Sequence, residues 1–278
     1  MSLKTIFNLH FTDSCNYRCK CCYAKNSKQR LNLEEIKSIV DSIALYFSKM
    51  NIQNGRINIA GGEPTTCPYL QDIIDYIHIK NIRASLITNG SLLTENFILN
   101  NKGKLEQIGL SIDSINDETN LLLGRCQKNI TFNYQKLVLI CKTIKAAGIK
   151  LKINTVVSKL NIHEDITKLL DEVEPDRIKI LQMKPTTTIA NNFAICESDF
   201  EKYTKKYSKY NAVIEKISSL ENAYVIIDSK GYLTTENRHI DKRFNLLEKS
   251  LLDVIDKIDF DAEKEAMRYV DENGNCRR

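Results

Sequence analysis

Residues 13–23 read Asp13-Ser14-Cys15-Asn16-Tyr17-Arg18-Cys19-Lys20-Cys21-Cys22-Tyr23, and we expect the rest of the chain to be organised around this loop. Its cysteines Cys15, Cys19 and Cys22 have C-x3-C-x2-C spacing and directly follow an apolar run, Ile6–Phe11, that is typical of a strand. Thiolates are preferred ligands of iron–sulfur clusters, so three on one tight loop can hold three corners of a 4Fe–4S cluster and leave the fourth iron open. A structural zinc site with Cys21 or His10 as fourth ligand is the alternative, although zinc usually takes two pairs of ligands separated by a longer loop.

Length and composition are those of a globular enzyme. The chain has 278 residues, 42% hydrophobic and 27% charged, and its net charge of +5 gives no case for nucleic-acid or membrane binding. The first predicted strand begins so early that we expect neither a signal peptide nor an anchoring helix. Nine cysteines without a secretory signal favour metal chemistry in a reducing compartment, and therefore the cytoplasm.

Strand and helix patterns alternate over the first two thirds of the chain. Strands are predicted at Ile6–Phe11, Arg56–Ala60, Ala84–Thr88, Gln107–Ile112, Leu151–Val157 and Arg177–Leu181. The helices between them are predicted at Asn32–Met50, Tyr69–Ile79, from about Thr94, Phe132–Ala147 and Glu164–Val173. This order predicts an α/β fold with a parallel sheet and right-handed crossovers. Six strands are too few for a regular eight-stranded barrel, so we expect a partial (βα)6 barrel.

The alternation stops after Pro185. A helical region is predicted at Ser198–Leu220, then a strand and turn over Tyr224–Leu233, then a helical tail. We therefore expect two units, a partial barrel over residues 1–187 and a C-terminal α+β extension over 188–278 that closes the substrate pocket.

One face of the predicted strands carries amides and cations, because successive strand residues point to opposite faces. The polar set is Asn8, His10, Arg56, Asn58, Lys152, Asn154, Arg177 and Lys179. A parallel sheet covered by helices is usually apolar on both faces, and unpaired buried charge is costly. The pattern predicts an anionic ligand inside the barrel near the carboxyl ends of the strands. The alternative is an open sheet face that is exposed to solvent and binds no ligand.

Two further motifs follow predicted strands. Gly61-Gly62-Glu63-Pro64 comes directly after the second strand, where glycines allow close backbone approach and a carboxylate can accept hydrogen bonds from an ammonium group. The alternative is an ordinary tight turn. Ser111 ends the fourth strand, and Arg125 has the forked donor group that suits a carboxylate, although a lone arginine is more often a surface residue.

The cysteine spacing and the G-G-E-P motif resemble the signatures of the radical S-adenosylmethionine (SAM) superfamily. Within it, six more segments spread over residues 5–182 resemble viperin and its prokaryotic homologues. They are Asn8-Leu9-His10-Phe11-Thr12, Asn89-Gly90-Ser91-Leu92, Ser111-Ile112-Asp113-Ser114, Gly124-Arg125, Lys152-Ile153-Asn154 and Arg177-Ile178-Lys179.

The resemblance implies a site with three parts. Cys15, Cys19 and Cys22 would bind a 4Fe–4S cluster, with Cys21 a bystander. SAM would be bound by Gly61, Gly62, Glu63, Pro64, Asn89, Ser111 and Arg125. The substrate would be bound by Asn8, His10, Arg56, Asn58, Lys152, Asn154, Arg177 and Lys179.

The activity that the resemblance implies is dehydration of a ribonucleoside triphosphate (CTP, UTP or GTP). The product would be its 3′-deoxy-3′,4′-didehydro analogue, an antiviral chain terminator, formed after a 5′-deoxyadenosyl radical removes the ribose C4′ hydrogen. A ferredoxin- or flavodoxin-like protein would supply the electron to a monomeric enzyme. Tyr232 is a candidate hydrogen-bonding or electron-and-proton-donating residue.

The sequence also departs from the family. Cys21 replaces a residue that is usually aromatic, Arg56 replaces a lysine, and the tail 273–278 lacks the tryptophan of the animal proteins. Two other functions stay open at this point, namely a radical SAM enzyme for a peptide or another nucleotide, and a non-enzymatic iron–sulfur electron-transfer or sensor protein. Enzymes of the first kind commonly carry closely spaced C-terminal cysteines, whereas Cys126, Cys141, Cys196 and Cys276 are scattered.

Overall fold

A computed structural model describes residues 3–23, 26–186, 188–235 and 244–267. The strands are β1 (Ile6–Thr12), β2 (Arg56–Gly61), β3 (Arg83–Thr88), β4 (Leu105–Ser111), β5 (Cys126–Gln127), β6 (Ile130–Thr131), β7 (Lys150–Val157), β8 (Arg177–Gln182), β9 (Val213–Glu215), β10 (Val225–Ile227) and β11 (Leu233–Thr234). The helices are α1 (Leu33–Lys49), α2 (Leu70–Ile79), α3 (Glu95–Asn100), α4 (Asp117–Leu123), α5 (Tyr134–Ala146), α6 (Thr167–Val173), α7 (Thr188–Asn191), α8 (Glu197–Lys205), α9 (Ile217–Leu220), α10 (Leu251–Val254) and α11 (Ala262–Met267).

Nine of these strands form one sheet in the order β11-β10-β1-β2-β3-β4-β7-β8-β9. All neighbours are parallel except β10 and β11, and β5 pairs with β6 in a separate hairpin. The six predicted strands are β1, β2, β3, β4, β7 and β8, in sequence order across the sheet. The predicted α/β partial barrel is confirmed.

The helices cover the apolar face of the sheet, and α1 shows why they form where they do. Asn32 accepts a hydrogen bond from the backbone N–H of Glu35 at 2.9 Å, and the Glu35 carboxylate accepts one from the backbone N–H of Asn32 at 2.7 Å. This reciprocal cap satisfies two donors that the first turn leaves open. Helix α1 then buries Ile36, Ile39 and Ile43, whose helical spacing places them on one face against the sheet.

Two parts of the sequence prediction were incomplete or wrong. The predicted helical region Ser198–Leu220 contains the strand β9, because Val213–Glu215 pairs in parallel with β8 and this long-range pairing overrides the local pattern. The sequence analysis also missed α4, which Asn116 caps at its start and Gly124 ends in a left-handed conformation.

Side chains connect the two ends of the curved sheet. Tyr224 directly precedes β10, and its hydroxyl donates to both carboxylate oxygens of Glu215, the last residue of β9, at 2.7 and 2.6 Å. Strands that follow residue 187 therefore belong to the same sheet as those that precede it, and the division into two units stays a prediction. Among the described helices, none has the length and apolar character needed to cross a membrane.

Candidate active site

The cysteine loop lies across the carboxyl ends of β1 and β2 and against the end of α4. Backbone hydrogen bonds hold it on both sides. They run from Gly62 N to Thr12 O (2.6 Å), Glu63 N to Ser14 O (2.8 Å), Lys20 N to Leu123 O (2.9 Å) and Arg18 N to Gly124 O (3.2 Å). The loop is thus fixed by the two segments that the sequence analysis assigned to SAM binding.

Glycines allow this close approach. A Cβ atom on Gly62 would lie 2.2 Å from the carbonyl oxygen of Ser14, and one on Gly124 would lie 2.2 Å from that of Arg18. Both distances are far inside van der Waals contact, so any larger residue would push the loop away. The sequence analysis predicted a close approach of ligand to this motif, and the structure adds a close approach of the cysteine loop itself.

The three cysteines suit a multi-iron cluster better than a single ion. Cys15, Cys19 and Cys22 form no disulfide among the described residues, and each of the first two interacts electrostatically with Cys22. Within the described ranges, no three His, Cys, Asp or Glu side chains converge on one point where a single metal ion could sit. A cluster has a different requirement, because each cysteine binds its own iron at a separate corner.

Two of the three cysteines are protonated in the protein without a cluster. Burial raises the pKa of Cys15 and raises that of Cys19 to about 12, so both are neutral near pH 7. Binding to iron would release their protons.

Glu63 is a fully enclosed carboxylate, with 1% of its surface exposed. Its Oε1 accepts from the Thr65 backbone N–H at 3.1 Å and from the hydroxyls of Thr65 and Thr88 at 2.6 Å each, while Oε2 accepts from the Asn89 N–H at 2.7 Å. Burial raises the pKa of Glu63, and these hydrogen bonds act in the opposite direction. One acceptor position on Oε2 is left, so a bond to the SAM ammonium stays a prediction, but the first role of this carboxylate is to hold the β3 loop against β2.

Asn89 connects that loop to the cysteines. Its amide N–H donates to the side-chain oxygen of Asn16 at 2.9 Å, and its own oxygen accepts from the Ser91 backbone N–H at 2.9 Å. Asn16 in turn donates to the Ser91 hydroxyl at 2.9 Å and to Gln127 of the β5–β6 hairpin at 3.0 Å. Asn89 therefore positions the cysteine loop, whatever it contributes to SAM.

Arg125 is buried and already has an anionic partner. Its guanidinium donates to Asp113 at 2.8 Å and to the carbonyl oxygen of Ser111. Burial alone would lower the pKa of Arg125, but the charge of Asp113 raises it overall. Asp113 also accepts from the Val156 N–H at 2.8 Å, so the pair joins α4, β4 and β7. The sequence analysis named Ser111-Ile112-Asp113-Ser114 as a motif but did not identify Asp113 as the partner of Arg125.

Three of the predicted SAM-binding residues line one pocket beside the cysteine loop. Asn89, Ser111 and Arg125 share it with Tyr17, which belongs to the loop itself. The structure therefore brings these residues together next to the cysteines.

The interior of the barrel is basic. Lys152 lies among Lys179, Arg177 and Arg56, and no hydrogen bond or ion pair joins its ammonium group to another described residue. Desolvation and these neighbouring cations hold the pKa of Lys152 well below its usual value, while Glu215 opposes the shift. A Cβ on Gly109 would lie 3.7 Å from the Lys152 side chain and 3.1 Å from the Asn154 amide nitrogen, so this glycine gives both side chains room inside the barrel.

That the cations point toward the mouth of the barrel stays a prediction, and their positions along the strands differ. Arg56 and Arg177 are the first residues of β2 and β8, and Lys152 and Lys179 are the third residues of β7 and β8. Arg56 also lies 3.9 Å from Glu106 near the amino end of β4. Each cation lies in the amino-terminal half of its own strand, whereas strand pairing places Lys152 beside Gly109 and Lys179 beside Asn154, in the carboxyl-terminal half of the neighbouring strands.

The predicted amides form a row across the same interior. Asn58 donates to Asn8 at 2.9 Å and accepts from the Ser85 hydroxyl at 2.5 Å, and Asn8 donates to the carbonyl oxygen of Val225 at 3.0 Å. Asn8 and Asn58 also line a small pocket with Tyr224 and Glu265. Their hydrogen bonds tie β10, β1, β2 and β3 together, so they shape the interior even without a ligand.

The sequence analysis missed Glu215 and Tyr224, which contact Lys179. The Lys179 ammonium lies 2.7 Å from Glu215 and donates to the Tyr224 hydroxyl. Glu215 was missed because its strand was predicted as helix. A Val-Ile-Glu triplet is too short to indicate a strand by its pattern.

His10, Tyr232 and Cys21 lie around the mouth or the loop. The His10 ring centre is 5.8 Å from that of Tyr23, just after the cysteines. Tyr232 directly precedes β11, in the turn that follows the carboxyl end of β10, and its role stays a prediction. Cys21 is a free thiol, and burial raises its pKa while the neighbouring Ser158 side chain opposes that shift. The tail 273–278, including Cys276, lies outside the described residues.

Solved structures share this architecture. Streptococcus suis SuiB bound to S-adenosylmethionine has a TM-score of 0.70 at 17% identity, with 98% of this chain and 69% of SuiB covered. The protein anSMEcpe, with bound AdoMet and the Cp18Cys peptide, has a TM-score of 0.68 at 17% identity, with 94% of this chain and 80% of anSMEcpe covered. At this identity the likeness shows the fold.

Sequence comparisons are more specific. The model of the Radical SAM superfamily matches residues 9–173. A protein of Flammeovirga pacifica is 32% identical over 285 aligned residues, which cover 96% of this chain and 93% of the relative. One from Selenomonas ruminantium is 30% identical over 272 residues, covering 94% and 97%. Both are named S-adenosylmethionine-dependent nucleotide dehydratase. The cysteine loop, its glycine supports and these relatives show that the chain belongs to the radical SAM superfamily and, within it, to the S-adenosylmethionine-dependent nucleotide dehydratases.

Proposed function

We propose that this chain dehydrates a ribonucleoside triphosphate (CTP, UTP or GTP) to its 3′-deoxy-3′,4′-didehydro analogue, an antiviral chain terminator. The observation that carries the proposal is the basic barrel interior next to the cysteine loop, with Lys152 set among three other cations. The name of the relatives supports a nucleotide substrate. The basic interior supports a nucleotide that carries three phosphates.

The cysteine end of the barrel would hold the cofactors. Cys15, Cys19 and Cys22 would bind the 4Fe–4S cluster, and the pocket lined by Asn89, Ser111 and Arg125 would take part of SAM. When bound, the reduced cluster and SAM supply a 5′-deoxyadenosyl radical that can remove the ribose C4′ hydrogen. A ferredoxin- or flavodoxin-like protein would provide the electron.

The basic interior would bind the phosphates. A triphosphate carries about four negative charges near neutral pH, and the four cations would attract them, although Glu215 and Glu106 already offset part of the charge of Lys179 and Arg56. Hydrogen bonds between charged groups of this kind contribute about 1.5–3 kcal/mol each. Because the cations start from the amino-terminal half of the strands, the phosphates would point into the barrel and the ribose toward the cysteine loop.

The remaining predicted residues fit this orientation. Asn154 lies two residues closer to the mouth than Lys152, and His10 lies two residues closer than Asn8, so both would face the nucleoside. Tyr232 would hydrogen-bond the nucleotide or supply an electron and a proton. Residues 188–278 would close the pocket and exclude water, which protects a reactive intermediate.

The test is turnover under strictly anaerobic conditions. Reconstituted, reduced enzyme with SAM is incubated separately with ATP, CTP, GTP and UTP, and 5′-deoxyadenosine and the dehydrated nucleotide are quantified. We expect both products in equal amounts with at least one triphosphate, and much less of each with the matching monophosphate. A monophosphate that reacted as well as its triphosphate would contradict the proposed phosphate site.

A further inference from the structure

A buried carboxylate lies inside the basic interior, where an anionic substrate has to bind. Glu215 is 0% exposed and belongs to β9, at the end of the sheet. Its carboxylate lies 2.7 Å from the Lys179 ammonium, and its two oxygens share the single hydroxyl hydrogen of Tyr224 at 2.7 and 2.6 Å. It also acts electrostatically on Lys152, so its charge reaches more than one member of the basic cluster.

This carboxylate has two effects of opposite sign. In the free protein it stabilises Lys179, because a buried ammonium without a partner is strongly destabilising. Once a phosphate reaches the same ammonium, the carboxylate competes for it and repels the incoming charge. Phosphate and carboxylate oxygens are equivalent acceptors for a lysine.

From this geometry we infer that Glu215 is an internal counter-ion which occupies Lys179 until a substrate phosphate replaces it. Lys179 would then exchange one anionic partner for another without passing through an unpaired state. Tyr224 would continue to donate its hydroxyl hydrogen to Glu215 and would hold the carboxylate near Lys179. The inference rests on the proposed triphosphate substrate.

The exchange has a use in the proposed reaction. Dehydration changes the ribose but leaves all three phosphates on the product. The reaction itself therefore does not weaken the binding of the phosphates to the cations. When the Glu215 carboxylate returns to Lys179, it weakens phosphate binding and makes that binding reversible. Glu215 would therefore lower the affinity for the triphosphate group in order to allow product release.

The test measures binding of inorganic tripolyphosphate by calorimetry to the full-length protein at about pH 6.5, where lysines are readily protonated. We expect Glu215→Gln to bind tripolyphosphate at least about tenfold more tightly than the unaltered chain, because a buried like charge is removed. The matched control is Glu201→Gln, which makes the same change in net charge. Glu201 forms an ion pair with Lys216, and its side chain is half exposed. It should change affinity less than about twofold because water screens it.

The sign of the change separates this role from a structural one. Damage to the barrel would weaken binding, so equal or weaker binding by a folded Glu215→Gln variant overturns the inference. If that variant does not fold, Glu215→Asp takes its place, because a side chain one methylene shorter holds its carboxylate farther from the Lys179 ammonium. Tighter binding of tripolyphosphate by Glu215→Asp than by the unaltered chain supports the inference, and equal or weaker binding overturns it. If the unaltered chain and every variant fail to bind tripolyphosphate, the triphosphate proposal fails and this inference with it.

Discussion

At the scale of single residues, Glu63 shows that a short motif can predict a carboxylate without predicting its hydrogen-bond partners. The sequence predicts a carboxylate beside two glycines, facing a ligand. The structure shows the same carboxylate receiving donors from Thr65, Thr88 and Asn89 inside the protein. Thr65 is a local partner two residues along the chain, but Thr88 and Asn89 could not be predicted because they belong to the end of β3, and nothing in the local sequence pairs them with Glu63.

We therefore expect Glu63→Gln to be damaging despite its similar shape. Oε1 accepts from the Thr65 backbone N–H and Oε2 from the Asn89 backbone N–H, so the glutamine NH2 group would face one of these donors in either orientation. Leaving buried donors unmatched should lower the free energy of unfolding by about 2–4 kcal/mol, as measured by denaturant unfolding, and should weaken SAM binding. Glu35→Gln is the control, because a capping box accepts glutamine as well. Equal stability of the two variants would contradict the role given to Glu63.

Lys152 provides a prediction about pH. In the free protein its pKa is held well below the usual value by desolvation and by neighbouring cations. Bound phosphates would favour the ammonium form and raise that pKa, so binding takes up a proton at any pH between the two values. The affinity for a nucleoside triphosphate should therefore fall as pH rises through this window, by at most about tenfold per pH unit.

Calorimetry without SAM, between about pH 7.5 and 9.5, measures this dependence where the phosphates are already ionised. Lys152→Met should bind more weakly and should lose most of the slope. An unchanged slope in that variant would show that another group takes up the proton.

At the scale of elements, the support of the cysteine loop depends on backbone contact. Gly62→Ala would place a methyl group 2.2 Å from the Ser14 carbonyl oxygen, which belongs to the backbone and cannot rotate away. We expect the loop to shift and the iron and sulfide content after reconstitution to fall by more than half, as measured by chemical assay. Gly148→Ala is a useful comparison, because its Cβ would meet nothing within 4 Å and its cost comes from a backbone φ of +74°. Full iron content in Gly62→Ala would show that the loop can move without loss.

The elements also show what a sequence can predict. Six strands and the helices between them follow from apolar patterns that repeat locally, and α1 even carries its own capping box. Strand β9 has three residues, and its identity depends on pairing with β8. The same pairing places Glu215 beside Lys179, so missing one short strand also hid a residue of the candidate site. Parity likewise placed Arg56 and Arg177 on the correct face but could not give their depth.

At the scale of the whole molecule, the candidate site has two parts, one at the cysteine loop and one in the basic interior. The cysteine loop, Glu63, Asn89 and Arg125 are held by hydrogen bonds at the carboxyl end of the sheet, whereas the cations start from the amino-terminal half of the strands. The contact between Glu215 of β9 and Tyr224, just before β10, joins the two ends of the curved sheet around this interior. A substrate that contacts both parts needs an anionic end and a reactive end, which a nucleoside triphosphate has.

This division predicts that the two ligands respond to different substitutions. Lys152→Ala should raise the dissociation constant of the nucleoside triphosphate by about ten- to a hundredfold, because it removes a charge-assisted contact with the phosphates, and should change SAM binding little. Arg125→Ala should do the reverse, since it lines the pocket beside the cysteines and lies with Asp113 between β4 and β7. Equilibrium binding of each ligand to both reconstituted variants, with iron content measured in parallel, tests the pair. If either variant weakened both ligands to a similar degree at full iron content, cofactor and phosphates would share one half of the barrel, and the orientation of the nucleotide proposed for this chain would be wrong.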